Sequence, residues 1–411
     1  MQGLERNKKQ FWLLVLVNAF VGSMVGLERS VIPGFAHNKF HINESVGLMS
    51  FIIAFGLSKA LSNLLTGHLT KTMARKHILI IGWIVAIPVP FLMIFSQSWG
   101  WIIAANLLLG INQGLCWSST VIMKIDLVGN EKRGFAMGIN EFSGYLFVGL
   151  SAYLSSEIAF HFGFNDMLFI PGIIISFSGL LISIFFIKDT KAFSHHEAKS
   201  SSIPLLQNVW KDTSFKHRNL GSVTISGLIN NLNDGVIWGL LPILLINKGY
   251  SINQIGVAAG IYPIVWGLGQ LITGRLGDYY CKKQLISSGM FIQAISLGIL
   301  SVSNDYYLDL TVMILLGAGT ALVYPNFISV IAENTQPTQR TQSISIFRFW
   351  RDSGYVFGAI ISGFLSDKIG INYTLLFISF LTVMAGVIAE VRMCCTKKLL
   401  WNSEACLSVN I

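Results

Sequence analysis

Long apolar runs, each about as long as a bilayer is thick, alternate with short polar breaks along almost the whole chain. A spanning helix needs about 20 mostly apolar residues. Twelve stretches qualify: 11–36, 45–69, 78–97, 100–125, 134–158, 167–187, 220–246, 254–275, 285–303, 308–332, 342–366 and 371–393. Several contain Gly or Pro, which membrane helices tolerate when neighbours satisfy the backbone. The pattern predicts an all-α polytopic membrane protein with twelve transmembrane helices. One long polar connection, Lys188 to Arg218, holds His195-His196, Ser200-Ser201-Ser202 and Pro204, and predicts a linker with a short surface helix around Leu205–Trp210. The chain then divides into an N-terminal six-helix half (1–187), a central loop (188–218), a C-terminal six-helix half (219–396) and a tail (397–411).

The two halves repeat one another at an offset of about 207 residues. Ser62-Asn63-Leu64-Leu65-Thr66-Gly67-His68-Leu69, Arg75-Lys76 and Gly82 are answered by Gly269-Gln270-Leu271-Ile272-Thr273-Gly274-Arg275-Leu276, Lys282-Lys283 and Gly289. Leu107-Leu108-Leu109-Gly110 matches Ile314-Leu315-Leu316-Gly317, and Arg133 matches Arg340. Ser143-Gly144-Tyr145 recurs as Ser353-Gly354-Tyr355, three residues further on. A duplicated membrane half is the plan of many secondary transporters, with the substrate site between the halves.

Composition agrees. The 411 residues are 53% hydrophobic and 12% charged, against about 25% charged in a soluble domain. The net charge of +9 belongs to loops and not to a nucleic-acid surface, because no basic-aromatic module accompanies it. With the N-terminus inside, the inner segments hold 21 Lys and Arg and the outer ones only Lys39, Lys248 and Lys368. The positive-inside rule therefore puts both termini in the cytoplasm. The first apolar run is too long for a cleavable signal and carries Glu28 and Arg29, so it reads as a retained first helix. Cys116, Cys281, Cys394, Cys395 and Cys406 have neither disulfide nor zinc spacing and read as plain thiols. His195-His196 reads as solvated loop, and no metal or cofactor site is expected.

The remaining five basic residues, Arg29, Lys59, Lys124, Arg348 and Arg351, lie inside predicted helices, as do Glu28, Glu141, Asp234 and Asp352. Asp126 is near a helix end. A charge at mid-membrane costs about 2.5–3.5 kcal/mol on insertion scales, so such residues pair or line a water-filled cavity. At 100° per residue, Arg348, Arg351, Asp352 and Tyr355 share one face of the eleventh span. Asn106, Gly110, Gln113, Trp117 and Lys124 share a face of the fourth, and Phe55, Lys59, Asn63 and Thr66 a face of the second. Their repeat mates Tyr262, Trp266, Gln270 and Thr273 do so on the eighth. On the seventh, Asn230, Asn233, Asp234 and Trp238 fall within roughly 140°. Stripes of this kind suit a small-solute passage, though Tyr262 and Trp266 also fit simple packing between helices. Repeat alignment sets Glu141 opposite Arg351, a candidate ion pair between the halves.

Gly-x-Leu-x-x-x-x-x-[Arg/Lys]-Lys between spans 2 and 3 (Gly67, Arg75, Lys76), repeated between spans 8 and 9 (Gly274, Lys282, Lys283), resembles the signature loop of the major facilitator superfamily. The resemblance covers nearly the whole chain and implies two pseudo-symmetric six-helix halves. In that family an acid four positions after the first Gly latches the cytoplasmic gate. Asp278 matches it; Lys71 stands in its place in the first copy. The drug-antiporter branch has an Arg in the fourth span and a Gly-Pro-rich motif in the fifth. Here Asn106 lies near the first position, and Gly138-Ile139-Asn140-Glu141-Phe142-Ser143-Gly144 has no proline, which weakens a drug-export reading. The segments Phe55–Asn63, Tyr262–Gln270 and Phe347–Tyr355 resemble a bacterial subgroup of that family, which implies the fold and the transport class and no particular substrate.

The expected function is secondary active transport of a small solute by a monomer in the bacterial inner membrane, with the proton as coupling ion. Glu28, Glu141 and Asp234 are the candidate carriers, since a desolvated carboxylate titrates nearer neutral pH. Arg29, Lys59, Arg348 and Arg351 are counter-charges or binders of an anionic group. The alternatives are a proton-driven drug or metabolite efflux antiporter, and a non-transporting membrane sensor, which would need a regulatory domain or large tail. An enzyme is not expected: the sequence has no metal-binding His cluster, nucleophile elbow or phosphate-binding glycine loop.

Overall fold

The computed structural model describes residues 3–42, 45–128, 133–191, 203–395 and 398–401. Lys132, His195-His196, Lys199, Ser200-Ser201-Ser202, Lys397 and Cys406 lie outside them, as do the side chains of Lys71, Arg133 and Asp278. The N-terminal half comprises α1 (Lys8–Arg29), α2 (Ile32–Phe40), α3 (Ser45–Thr72), α4 (Arg75–Ala86), α5 (Pro88–Ile94), α6 (Trp99–Val128), α7 (Arg133–Phe162) and α8 (Ile170–Phe185). After the one-turn α9 (Val209–Lys211) come α10 (Arg218–Asn247), α11 (Ile252–Tyr279), α12 (Lys282–Val302), α13 (Tyr306–Glu333), α14 (Pro337–Ile369) and α15 (Ile371–Arg392).

Nine stretches among the described residues are long and apolar enough to cross a membrane. The helices α6, α7 and α14, of 30, 30 and 33 residues, have the length too and carry much of the buried polar chemistry. Together they make the twelve expected spans.

Two spans are broken where the sequence pattern reads as continuous. The first stops at Arg29 and restarts at Ile32, with Pro33 in the opening turn of α2. Proline lacks an N–H and cannot sit inside a straight helix, but it suits a first turn. The break places Arg29 in the last turn of α1, where a cation meets the negative end of the helix dipole. Pro88 splits the third span at Ile87 in the same way. The surface helix expected at Leu205–Trp210 is instead the single turn α9 followed by a wide turn at Asp212–Lys216. Asn208 caps that turn by accepting from the Lys211 N–H at 3.0 Å.

The halves meet along two seams, α3 against α14 and α7 against α11. Glycine makes the second seam possible. A Cβ on Gly149 of α7 would lie 2.5 Å from the carbonyl oxygen of Gly260 of α11. Outward faces carry Leu57, Leu61, Leu65, Ile174 and Phe185, all exposed, as lipid contact requires.

One expectation about the cysteines is overturned. Cys281, before α12, is disulfide-bonded to Cys395, after α15, with Cα atoms 5.8 Å apart. The two are 114 residues apart in sequence, so no short-range spacing announced the pair; the end of α15 returns beside the α11–α12 turn. The following segment then pairs with that turn. The Cys281 N–H donates to the Lys398 carbonyl at 2.9 Å, and Gln284 bonds Leu400 and Trp401.

Candidate functional site

At the centre, α3, α6, α7, α13 and α14 enclose a cavity of about 20 Å³, room for a water molecule. Seven residues picked out by helical spacing line it: Lys59, Asn63, Gln113, Trp117, Arg348, Arg351 and Asp352. Tyr145 and Tyr324 complete the wall.

A chain of polar contacts crosses between the halves there. Arg348 Nη1 donates to Ser118 Oγ at 2.5 Å, and Ser118 donates to Asn63 Oδ1 at 2.7 Å. Asn63 Nδ2 then donates to Asp352 Oδ2. The other oxygen of Asp352 accepts from Asn231 at 3.1 Å and from Arg351 Nη1 at 3.4 Å, and lies 3.5 Å from Lys59 Nζ. Asp352 thus gathers groups from α3, α10 and α14. Arg351 also lies 4.0 Å from Asp234, which accepts from the Tyr262 hydroxyl.

Aromatic rings frame these charges. Lys59 Nζ lies 5.1 Å from the Tyr355 ring and 5.4 Å from Phe55; Arg351 stands over Tyr324 at 4.4 Å. Tyr145 stacks on Trp266 across the second seam, with ring centroids 3.4 Å apart. Such contacts favour a cation held away from water.

Other predicted site residues go elsewhere. Glu28 accepts from Asn106 at 3.1 Å and lines a separate small cavity with Met24, Val89, Pro90 and Phe169. Arg29, 1% exposed, lies 3.8 Å from Glu28 and 4.5 Å from the Phe55 ring, with Trp238 on another side. Lys124 donates to the Leu14 carbonyl at 3.2 Å. Asn230 and Asn233 bond Gln293 of α12, away from the cavity. Gln270 is buried with neither amide atom bonded. The Glu141–Arg351 pair does not form. Glu141 accepts from Trp117 and Asn140, both at 2.9 Å, while Arg351 turns to the acids of its own half.

The signature-loop cations pair with residues that helical spacing did not select. Arg75 meets Asp126 at 3.1 Å, and Lys282 meets Glu333 at 2.8 Å. Asp126 and Glu333 are themselves separated by the repeat offset of 207, a signal that could have found them. Lys76 donates to the Ile184 carbonyl at 2.8 Å, and Lys283 lies 3.6 Å from Glu390.

A helical membrane bundle with a charged, aromatic-lined cavity between two repeated halves defines a class of solute carrier. The family model of the Major Facilitator Superfamily matches residues 11–220 and 223–403, and the chain belongs to that superfamily. It is therefore a membrane transporter and not an enzyme. An uncharacterised MFS-type transporter of Methanocaldococcus jannaschii is 20% identical over 95% of this chain and 99% of its own length. The multidrug resistance protein MdtH of Enterobacter sp. (strain 638) is 26% identical over 36% of this chain and 38% of its own. The crystal structure of the human organic anion transporter MFSD10 (TETRAN) superposes with a TM-score of 0.71 at 15% identity, covering 93% of this chain and 99% of that one.

Proposed function

We propose that the chain is a secondary active carrier of a small solute, working by alternating access around the central cavity with a proton as coupling ion. The observation that carries this reading is the set of bonds across the cavity. Asp352 of α14 holds Asn63 and faces Lys59 of α3, and Arg348 of α14 holds Ser118 of α6. Those bonds keep the cavity shut and part when either end opens. A proton or solute that weakens them shifts the balance between closed and open states.

Asp234 is the proton carrier in this reading. It shares Arg351 with Asp352, so a proton on Asp234 leaves the guanidinium to Asp352 alone. The loop charges support a bacterial inner membrane location with both termini cytoplasmic. One chain supplies both sides of the cavity, so a monomer suffices. An efflux antiporter is the second reading, favoured by the partial match to relatives named as multidrug resistance proteins; the small, charged cavity favours a compact solute.

The test uses liposomes containing the purified protein and a pH-sensitive dye, challenged with solutes one at a time. A solute that carries protons through the wild type should not do so through Asp234→Asn, while the variant still exchanges labelled for unlabelled solute. Asn keeps the shape and most hydrogen bonding of Asp but does not titrate. Accumulation driven by a pH gradient in the variant would remove Asp234 as the coupling site and bring Glu28 or Glu141 forward.

A further inference from the structure

The charges around the central cavity are unevenly paired. Among the described residues, the three cations on its wall, Lys59, Arg348 and Arg351, have two acids within ion-pair distance, Asp352 and Asp234, while Glu141 is held behind Trp117 by the indole N–H. Both acids are already engaged. Asp352 takes Asn63, Asn231 and Arg351 and faces Lys59; Asp234 takes Tyr262 and faces Arg351. Arg348 is left with one hydroxyl, Ser118 Oγ. Its Nη2 is buried without a hydrogen-bond partner, as are Nε and Nη2 of Arg351, although Arg348 is only 7% exposed.

A buried guanidinium with no acid is costly unless something else supplies the counter-charge. Both arginines lie on the wall of the same cavity. A guanidinium edge matches a carboxylate in plane and in spacing, through paired N–H donors. Beside these donors the wall is aromatic. Trp117 and Tyr145 have ring centroids 5.1 Å apart, and each ring is held in place: Trp117 by its bond to Glu141, Tyr145 by stacking on Trp266. A wall of fixed rings next to a few aimed polar groups selects an apolar body with a defined charged end.

We propose that the cavity, once its cross-half bonds part and one end opens, binds a small organic monoanion, its carboxylate on Arg348 and Lys59 and its flat apolar body against Trp117 and Tyr145. Arg348, the wall cation without an acid, sets the charge at minus one. The proposal rests on the carrier reading only for the claim that this anion is the transported solute; the binding site stands on its own geometry.

The probes are benzoate, benzamide and benzylamine, which share a ring and carry charges of minus one, zero and plus one at pH 7. Inorganic phosphate is the fourth, an anion without a ring. A ligand that binds only the folded form raises the melting temperature. Benzoate should stabilise the purified full-length protein well above the other three. Arg348→Gln should weaken benzoate binding at least tenfold, and Arg348→Lys should recover part of the loss. The comparison of the four probes on the wild type needs no variant to fold. Equal or greater stabilisation by benzylamine or benzamide, or none by benzoate, overturns the anion site. Phosphate matching benzoate overturns the aromatic half. Labelled benzoate that binds through Arg348 but enters liposomes no faster than it enters protein-free ones would refute the carrier reading and leave the site standing. Benzylamine uptake faster than into protein-free liposomes, without benzoate binding, would do the reverse.

Discussion

Replacing Asp352 with asparagine should damage this protein more than any other isosteric change in the membrane region. The reason lies in the direction of its hydrogen bonds. Every neighbour gives a proton: Asn231 and Arg351 on one oxygen, with Lys59 nearby, and Asn63 on the other. An amide turned either way sets its own N–H2 against a donor. Asn63 cannot turn to accept, because its oxygen already takes the Ser118 hydroxyl. The change also leaves Lys59, Arg348 and Arg351 with Asp234 as the one acid beside them. Breaking a buried pair by removing one partner costs about 3–5 kcal/mol. At roughly 1–2 °C per kcal/mol, extending the size trend of smaller domains, the melting temperature in detergent should fall by about 5 °C. Removing one surplus cation should help: Lys59→Met combined with Asp352→Asn should melt higher than Asp352→Asn alone, while Lys59→Met alone lowers the wild type. Melting of Asp352→Asn within about 1 °C of wild type, or strict additivity of the two changes, would refute the argument that Asp352 is the hub of the network.

The signature-loop pairs differ in burial, so Asp126→Asn, beside a largely buried Arg75, should lower the melting temperature clearly, whereas Glu333→Gln should change it little, because Glu333 is half exposed. Equal shifts would show that burial does not set their worth. Gly149→Ala should force α7 and α11 apart and destabilise the fold, while Gly274→Ala, with nothing within 4 Å of the new Cβ, should be close to neutral; melting curves of the two variants decide it. Asp278→Asn should reduce transport strongly and Lys71→Ala only mildly, following the family's gate acid; comparable uptake at equal expression would contradict that.

The spans and the repeat were legible because each is written in local composition. An apolar run is visible wherever it lies, and an offset of 207 needs no knowledge of packing. Lys59, Asn63, Arg348, Arg351 and Asp352 were also found, since charges inside apolar helices stand out. Their partners were not. A stripe read at 100° per residue names a face of a helix and leaves its neighbour unnamed. Asn106, Gln113 and Lys124 lie on one such stripe, yet over 18 residues, about 27 Å of helix, they meet three different groups: Glu28, the Val21 carbonyl near the cavity, and the Leu14 carbonyl. Glu141 was set opposite Arg351 by symmetry, and symmetry says nothing of the nearer Trp117 and Asn140. Tyr324 carries no such signal, because a tyrosine in an apolar run looks like any other packing residue, and Tyr145 shows only as the repeat mate of Tyr355.

The Cys281–Cys395 bond gives the chain a topology that its helix diagram does not display. It closes a covalent ring around α12, α13, α14 and α15, with α14 supplying Arg348, Arg351 and Asp352. A protease cut in the turn at Ser303–Asp305 would then leave the polypeptide in one piece. Purified in air so that the pair is oxidised, the nicked protein would run at full mass on a denaturing gel without reductant and separate into two fragments once a thiol is added.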